Sequence, residues 1–422
     1  MKQWQGRVGK LGIVFFSLTL MATFLPASAA AKEVIKIGVL LPFTGPMAFG
    51  GNDVFKGYEV ARVEQNKKGG LFGKEIEFVK GDGIDAKVAV SEAERLITVE
   101  GVKIILGTFS SVLAFAATTV AEKNKVIYWE TGSVADKITE RGYKYLFRFC
   151  PPATKLAQAA ARFGTVIAPE MLKVPVKDWK VAVIGEDSSY GKSVCETVKD
   201  VVAKSGAQLV AYEFYDANTK DLSSLILRLK AKAPDALIPT SYINDGILLH
   251  RQMRQLGLNV KVFVGTGNGH NTDKLKEAVG NDVNGVICAG WPGPTINPSY
   301  AKGFPNFLTL YKGQWKEEIQ SPHSFGNYNG AYLLWRVMEM AGSINPEAIR
   351  SASIALDKPE GYLPIGWGVK FAGPNEPNAG QNIRVDWFVE QWQNGKLHTV
   401  WPKQAMAQGI NVIMPFPKWS ER

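Results

Sequence analysis

Cysteine and histidine are scarce in this chain, at three and four of 422 residues. So few cysteines cannot build a disulfide scaffold, which leaves stability to a buried core. The histidines, His250, His270, His323 and His398, are dispersed, with no i, i+4 pair and no HExxH, so the spacing of a zinc site is missing. There is no G-x-S-x-G of a serine hydrolase. "VGTGNGH" (Val264–His270) lacks the G-x-G-x-x-G spacing, and "GHNT" is not the GK[ST] of a phosphate loop. Lysine and arginine form no stripe with interleaved aromatics, which argues against nucleic acid. No segment after the N-terminus reaches the roughly 18 apolar residues of a membrane span. Catalysis, metal, cofactor and nucleic acid all lack a signature, and the expectation is a protein that is not an enzyme.

A 46% hydrophobic and 21% charged composition is that of an ordinary folded protein, and 422 residues suggest two domains. Lys2, Arg7 and Lys10 precede an apolar run from Leu11 to Leu25, then Pro26 and Ala27-Ser28-Ala29. This is the pattern of a signal peptide over residues 1–30, cleaved near Ala29/Ala30. No cysteine lies at that point, so the expected product is a periplasmic protein that is not a lipoprotein. Removing the segment leaves 46 basic against 39 acidic residues, a mild and scattered excess.

"VIKIGVLLPF" (Val34–Phe43) is an apolar run of the kind buried on both faces of a parallel sheet. Strand and helix then alternate with Gly/Pro punctuation through "KEIEFVKGDG", "KIILGTF", "KVIYWETG", "WKVAVIGED", "DALIPTSY" and "VKVFVGTG". Such alternation predicts α/β architecture in doubly wound, Rossmann-like lobes. The strands fall into two similar runs, split near Arg148–Pro152. Late in the chain a helical stretch (Phe307–Gly342) gives way to strands, ending in a hairpin with Asn394-Gly395 at its turn. In such sheets ligands sit beyond the carboxyl ends of the strands. Those loops here read "TGPMAFGG", "GTFSS", "ETGSVAD", "GEDSSYG", "TSYIND" and "GTGNGHN", which suggests a cleft between two lobes. Asp82 and Asp85 read as caps of the helix from Ala86, and "GEDSSYG" as a capped strand-to-helix turn. The serines of "GTFSS" either cap the next helix or, with its free N–H groups, hold a bound anion.

The ordered series "IKIGVLLPFTGPMAFGG", "GGLFGKEIEFVKGD", "ILGTFSS", "GSVADKIT", "RFC", "VAVIGEDSSYGKS" and "LILRLKAKAPDALI" resembles the leucine/isoleucine/valine-binding proteins, type I periplasmic receptors of ABC importers. The resemblance spans essentially the whole mature chain. It implies two lobes joined by three hinge crossovers near Cys150–Pro152, Ala289–Pro294 and Gly366–Val369. Lobe 1 would be residues 31–150 and 290–367, and lobe 2 residues 151–289 and 368–422. It also implies a carboxylate pocket at Ser111, with Ser110, Gly132 and Ser133, where Val134 takes the place of a family threonine. Aromatic ligand contacts would fall on Phe49, Tyr190, Tyr242 and Tyr328. The acidic residue that holds an amino acid's ammonium aligns with Thr266, so either Asp245 or Glu130 replaces it or the ligand lacks the amine. Cys150 and Cys288 fall at adjacent crossovers and form a candidate disulfide, whereas the family's early bridge positions are Ile84 and Ser110. The implied function is import of a small amino acid or a related hydrophobic or aromatic carboxylate or amide, by a monomer that delivers it to membrane permease subunits. The alternative is a periplasmic sensor for amides or amino acids.

Overall fold

The computed structural model describes residues 1–6, 9 and 33–422, so the expected signal segment lies largely outside the described residues. Residues 1–6 are exposed and without regular structure. Every described strand and helix lies in the unit Val34–Arg422.

The first half alternates β1 (Val34–Leu41), α1 (Ala48–Lys67), β2 (Glu75–Asp82), α2 (Ala86–Thr98), β3 (Ile104–Gly107), α3 (Ser111–Lys123), β4 (Ile127–Glu130) and β5 (Leu146–Arg148). All five strands are parallel, in the order β2-β1-β3-β4-β5. The apolar run of β1 is central: Ile37 faces Phe78 of β2, and Gly38 faces Ile105 of β3. Side-chain oxygens finish the ends of these elements. Asp85 caps α2 by accepting from the Val88 N–H at 2.8 Å. Asp82 instead accepts from Phe43 N and Thr44 N, tying down the loop after β1.

The second half begins with α4 (Ala153–Arg162) and α5 (Ala168–Met171), followed by β6 (Lys180–Glu186), α6 (Ser189–Ser205), β7 (Gln208–Tyr215) and α7 (Ser223–Lys232). It continues through β8 (Ala236–Thr240), α8 (Ile243–Leu256), β9 (Val262–Thr266), α9 (Asp273–Val279) and β10 (Ile287–Gly290). Its sheet runs β14-β13-β10-β9-β8-β6-β7. The parallel part, 7-6-8-9-10, repeats the winding order of the first sheet, so each sheet has a switch point where its order reverses.

The chain then gives α10 (Phe304–Trp315), α11 (His323–Ala341), α12 (Pro346–Ala355), the short pair β11 (Asp357–Lys358) and β12 (Val369–Lys370), and the hairpin β13 (Phe388–Gln393) and β14 (Lys396–Trp401). Asn394 and Gly395 both have positive φ, 50° and 69°, as a tight two-residue turn requires. Helix α11 lies along α1. A Cβ on Gly57 would meet the Ser324 carbonyl at 2.1 Å, so only glycine permits that approach.

The chain passes between the sheets three times. The first passage follows Arg148, and the second follows Gly290. The third lies later than Gly366–Val369, because residues 380–382 still hydrogen-bond to Arg148 at the edge of the first sheet, while Val369 and Lys370 pair with β11. Arg148 N donates to Gly380 O at 2.8 Å and Asn382 N to Arg148 O at 2.9 Å, so this segment covers the edge that the three-residue β5 leaves open. The crossing therefore falls between Ile383 and Phe388. Each passage carries an aromatic ring, and the rings interlock. Phe149 stacks on Trp291 with centroids 6.1 Å apart and planes at 12°, and Trp387 meets Trp291 edge-on at 5.0 Å. One continuous apolar core runs from Ile37 through Trp291 to Val181 across both sheets.

The candidate disulfide does not form: Cys150, Cys195 and Cys288 are free and buried. Cys150 Sγ contacts Ser133 O at 3.6 Å, whereas Cys288 is registered against Gly265 inside the second sheet and its Sγ contacts Gly267 O at 3.2 Å. Each thiol is held within its own lobe. Among the described residues no helix is long and apolar enough to cross a membrane.

Candidate functional site

A chamber of about 40 Å³ lies where the carboxyl ends of the two sheets meet. The first lobe contributes Phe109 and Ser111 after β3, Gly132 and Val134 after β4, and His323 at the start of α11. From the second come Tyr190 after β6, Tyr242 after β8, Gly267 and Asn268 after β9, and Leu156 on α4. Gly290, Trp291 and Trp387 belong to the second and third passages. The two sheets deliver these groups to one point because their parallel strands end there, as doubly wound sheets do.

The turn after β4 is locked by two buried charges that sit opposite each other on β4 and β5. Glu130 accepts from Thr108 N at 2.9 Å, Thr108 Oγ1 at 2.7 Å, and the Gly132 and Ser133 N–H groups, each at 2.8 Å. Burial raises its pKa, and these four donors oppose that rise. Arg148 binds the carbonyls of Val134 and Ala135 at 2.9 and 2.7 Å and the Gln381 amide oxygen. The turn's donors and acceptors are thus consumed from within. Glu186 repeats the device in the second lobe, accepting from Ser188 N and Oγ and from Gly191 N at 2.7–2.8 Å. Ser188 in turn caps α6 through the Tyr190 N–H at 3.2 Å.

Four of the residues expected from the sequence line the chamber: Ser111, Gly132, Tyr190 and Tyr242. The Ser111 hydroxyl accepts from Ala135 N at 3.2 Å and keeps its own proton to donate. Ser110 sits at the rim, its hydroxyl 3.2 Å from that of Tyr242 in the other lobe. Ser133 is buried behind the wall, paired with Thr108 Oγ1 at 3.0 Å. Thr266 is buried at the end of β9 in the second lobe, bonded to Thr240 Oγ1 at 2.9 Å, while its carbonyl receives the Tyr190 hydroxyl at 3.0 Å. Phe49 lies outside the chamber at the cleft mouth, under Lys274 of the opposite lobe with Nζ 5.7 Å from the ring centre. Tyr328 is in the core between α1 and α11, its hydroxyl 2.7 Å from Glu64.

Sequence reasoning missed Phe109, Asn268, Trp291, His323 and Trp387. Asn268 stands in the loop "GTGNGHN" and Trp291 in the crossover "CAGWPG"; the sequence marks both segments but not those side chains. His323 has no local signal. Three of these carry buried polar atoms without a protein partner: Asn268 Oδ1 and Nδ2, Trp291 Nε1, and both ring nitrogens of His323. Burial lowers the His323 pKa to about 3, so its ring is neutral. The chamber lining contains no charged side chain.

Beyond Phe109, Ser110 and Tyr242 the cleft widens into an outer pocket of about 690 Å³, flanked by Asp85, Asp187, Asp216 and Arg251. Asn244 Nδ2 reaches Pro46 O across this mouth at 3.3 Å, and Ser193 Oγ donates to Asp136 at 3.0 Å. The two lobes touch at these points, and the chamber is continuous with the outer pocket through Phe109, Tyr242 and Asn268, which line both.

A family model described as "Periplasmic binding protein" matches residues 34–395. Leu/Ile/Val-binding protein homolog 8 of Brucella suis is 38% identical over 381 residues, covering 90% of this chain and 93% of the relative. The leucine-binding protein LivK of Thermotoga maritima superposes with a TM-score of 0.74 at 25% identity, covering 87% of this chain and 98% of its own. A solute-binding protein of an ABC transporter from R. palustris, solved with benzoate, gives 0.74 at 17% identity, covering 90% of this chain and 99% of its own. With two lobes wound alike around a shared chamber and these matches along nearly its whole length, the chain belongs to the periplasmic binding proteins, in the Leu/Ile/Val-binding family of the branched-chain amino acid transporter type.

Proposed function

We propose that this protein is the extracytoplasmic receptor of an ABC importer, taking a small amino acid or a related hydrophobic or aromatic carboxylate or amide. The carrying observation is the chamber shared by both lobes, walled by Phe109, Tyr190, Tyr242, Trp291 and Trp387. Aromatic walls supply apolar area, and Ser111 supplies a hydroxyl at the first turn of α3, where free N–H groups favour a negative or polar head. A solute that contacts both lobes stabilises the closed arrangement and shifts the population toward it. The relatives' names point the same way, since the two solved proteins above bind leucine and benzoate. The two lobes turn about the three passages as a monomer, and permease subunits read the closed form. Export through the segment 1–30 delivers it to the periplasm.

Native mass spectrometry of the purified, exported protein tests this reading directly. The expected result is one small solute per chain and an N-terminus near Ala30. Loss of uptake of that solute in cells lacking the protein is the expected result for the importer partnership. Unimpaired uptake would sink it.

A further inference from the structure

We infer that the chamber recognises an amine-free solute, and that its polar head is held by the side chains of Asn268, Trp291 and His323 together with the Ser111 hydroxyl. This deepens the receptor reading above and rests on it. An α-amino acid brings an ammonium as well as a carboxylate, and a desolvated ammonium needs a carboxylate or a set of free acceptors. The chamber lining offers no carboxylate. The nearby buried carboxylates are committed elsewhere. Glu130 is filled by Thr108, Gly132 and Ser133, Glu186 by Ser188 and Gly191, and Asp245 Oδ2 accepts from the Tyr215 hydroxyl at 2.9 Å and from Tyr242 N. Glu130 also removes the backbone donors of the 132–133 turn from any ligand.

What remains on the walls is of another kind. Trp291 Nε1 only donates, the Asn268 amide donates and accepts, and neutral His323 does one of each. These atoms are buried without protein partners, with Asn268 5%, Trp291 1% and His323 7% exposed. Leaving them unmet is unfavourable, so a solute that meets them gains specificity over one that does not. The rings of Trp291 and His323 stand 6.4 Å apart and Phe109 lies 5.8 Å from His323, so the donors are embedded in an apolar wall. The matching chemistry is a small carboxylic acid or primary amide on a compact apolar or aromatic body.

Calorimetric titration with pairs that differ only in the amine tests the inference: leucine against 4-methylpentanoate, and phenylglycine against phenylacetate. The amine-free member is expected to bind at least tenfold more tightly in each pair. Trp291→Phe and Asn268→Leu, checked for unchanged melting without solute, are each expected to weaken phenylacetate by tenfold or more. Tighter binding of leucine or phenylglycine would overturn the inference and leave the receptor reading intact. So would phenylacetate affinity within twofold of the parent in both variants. No binding by any of the four compounds, in a protein that carries a different kind of solute through purification, would overturn the ligand class in both readings.

Discussion

Glu130 and Arg148 lie side by side on neighbouring strands and divide the backbone polarity of the next turn between them. A carboxylate that accepts from three N–H groups and a hydroxyl is hard to replace. Glu130→Gln turns one acceptor into a donor facing N–H groups, and the expected cost is about 2–4 kcal/mol in a urea unfolding curve. Asp53 behaves differently. It is buried on α1, and desolvation, only partly opposed by Ser321, Lys56 and Ser324, raises its pKa from 3.8 to about 7. The folded state then keeps a proton that the unfolded state releases, so stability falls as pH climbs from about 4 to 7, by up to about 1.4 kcal/mol per unit. Below pH 4 both states are protonated and the effect vanishes. In Asp53→Asn that slope should flatten, which urea midpoints at pH 5 and 8 will show; an equal loss in both proteins would refute the assignment. The serines of "GTFSS" read from the sequence as caps or anion contacts, yet neither caps α3: Ser110 reaches the Tyr242 hydroxyl and Ser111 accepts from Ala135 N. The Glu130–Arg148 partnership was not legible, since only strand register brings the two together.

The strand-to-helix units were readable because continuous apolar runs such as β1 and buried glycine turns leave strong local marks. Residues 369–382 leave none. They form neither helix nor long strand; most of their hydrogen bonds close on the segment itself, and its far end, at Gly380 and Asn382, pairs with Arg148 on β5, a partner remote in sequence. Sequence alone therefore puts the third passage too early, at a glycine-rich stretch that is instead a turn of the first lobe. Helix α11 carries a constraint of its own. A Cβ on Gly326 would sit 2.3 Å from the Trp291 ring, inside any tolerable contact. Gly326→Ala should therefore push the indole or the helix aside, costing about 1–3 kcal/mol in thermal unfolding and loosening solute binding. An unchanged melting temperature together with unchanged affinity would show that the wall can yield.

At the scale of the whole molecule, polar contacts at the cleft join the two lobes. The Ser110–Tyr242 contact and Asn244 to Pro46 bridge the mouth in front of the chamber. Removing one hydroxyl by Tyr242→Phe should speed dissociation of a radiolabelled solute several-fold and leave association within about twofold, since interface changes act mainly on the off-rate. The absent disulfide gives a second check. The folded protein should resist thiol reagents because burial raises all three cysteine pKa values, and three thiols should titrate after unfolding without reductant. One thiol only would mean a bridge. The two-lobed architecture was legible from the repeated rhythm of strands; which lobe each late segment joins depended on packing the sequence does not advertise.

Trp291 touches the chamber and also stands between Phe149 and Trp387, one ring from each passage of the chain. Arrival of a solute and rotation of the lobes must both disturb the same indole. Its emission colour and intensity are then a built-in gauge of occupancy, readable in untagged protein with no dye attached.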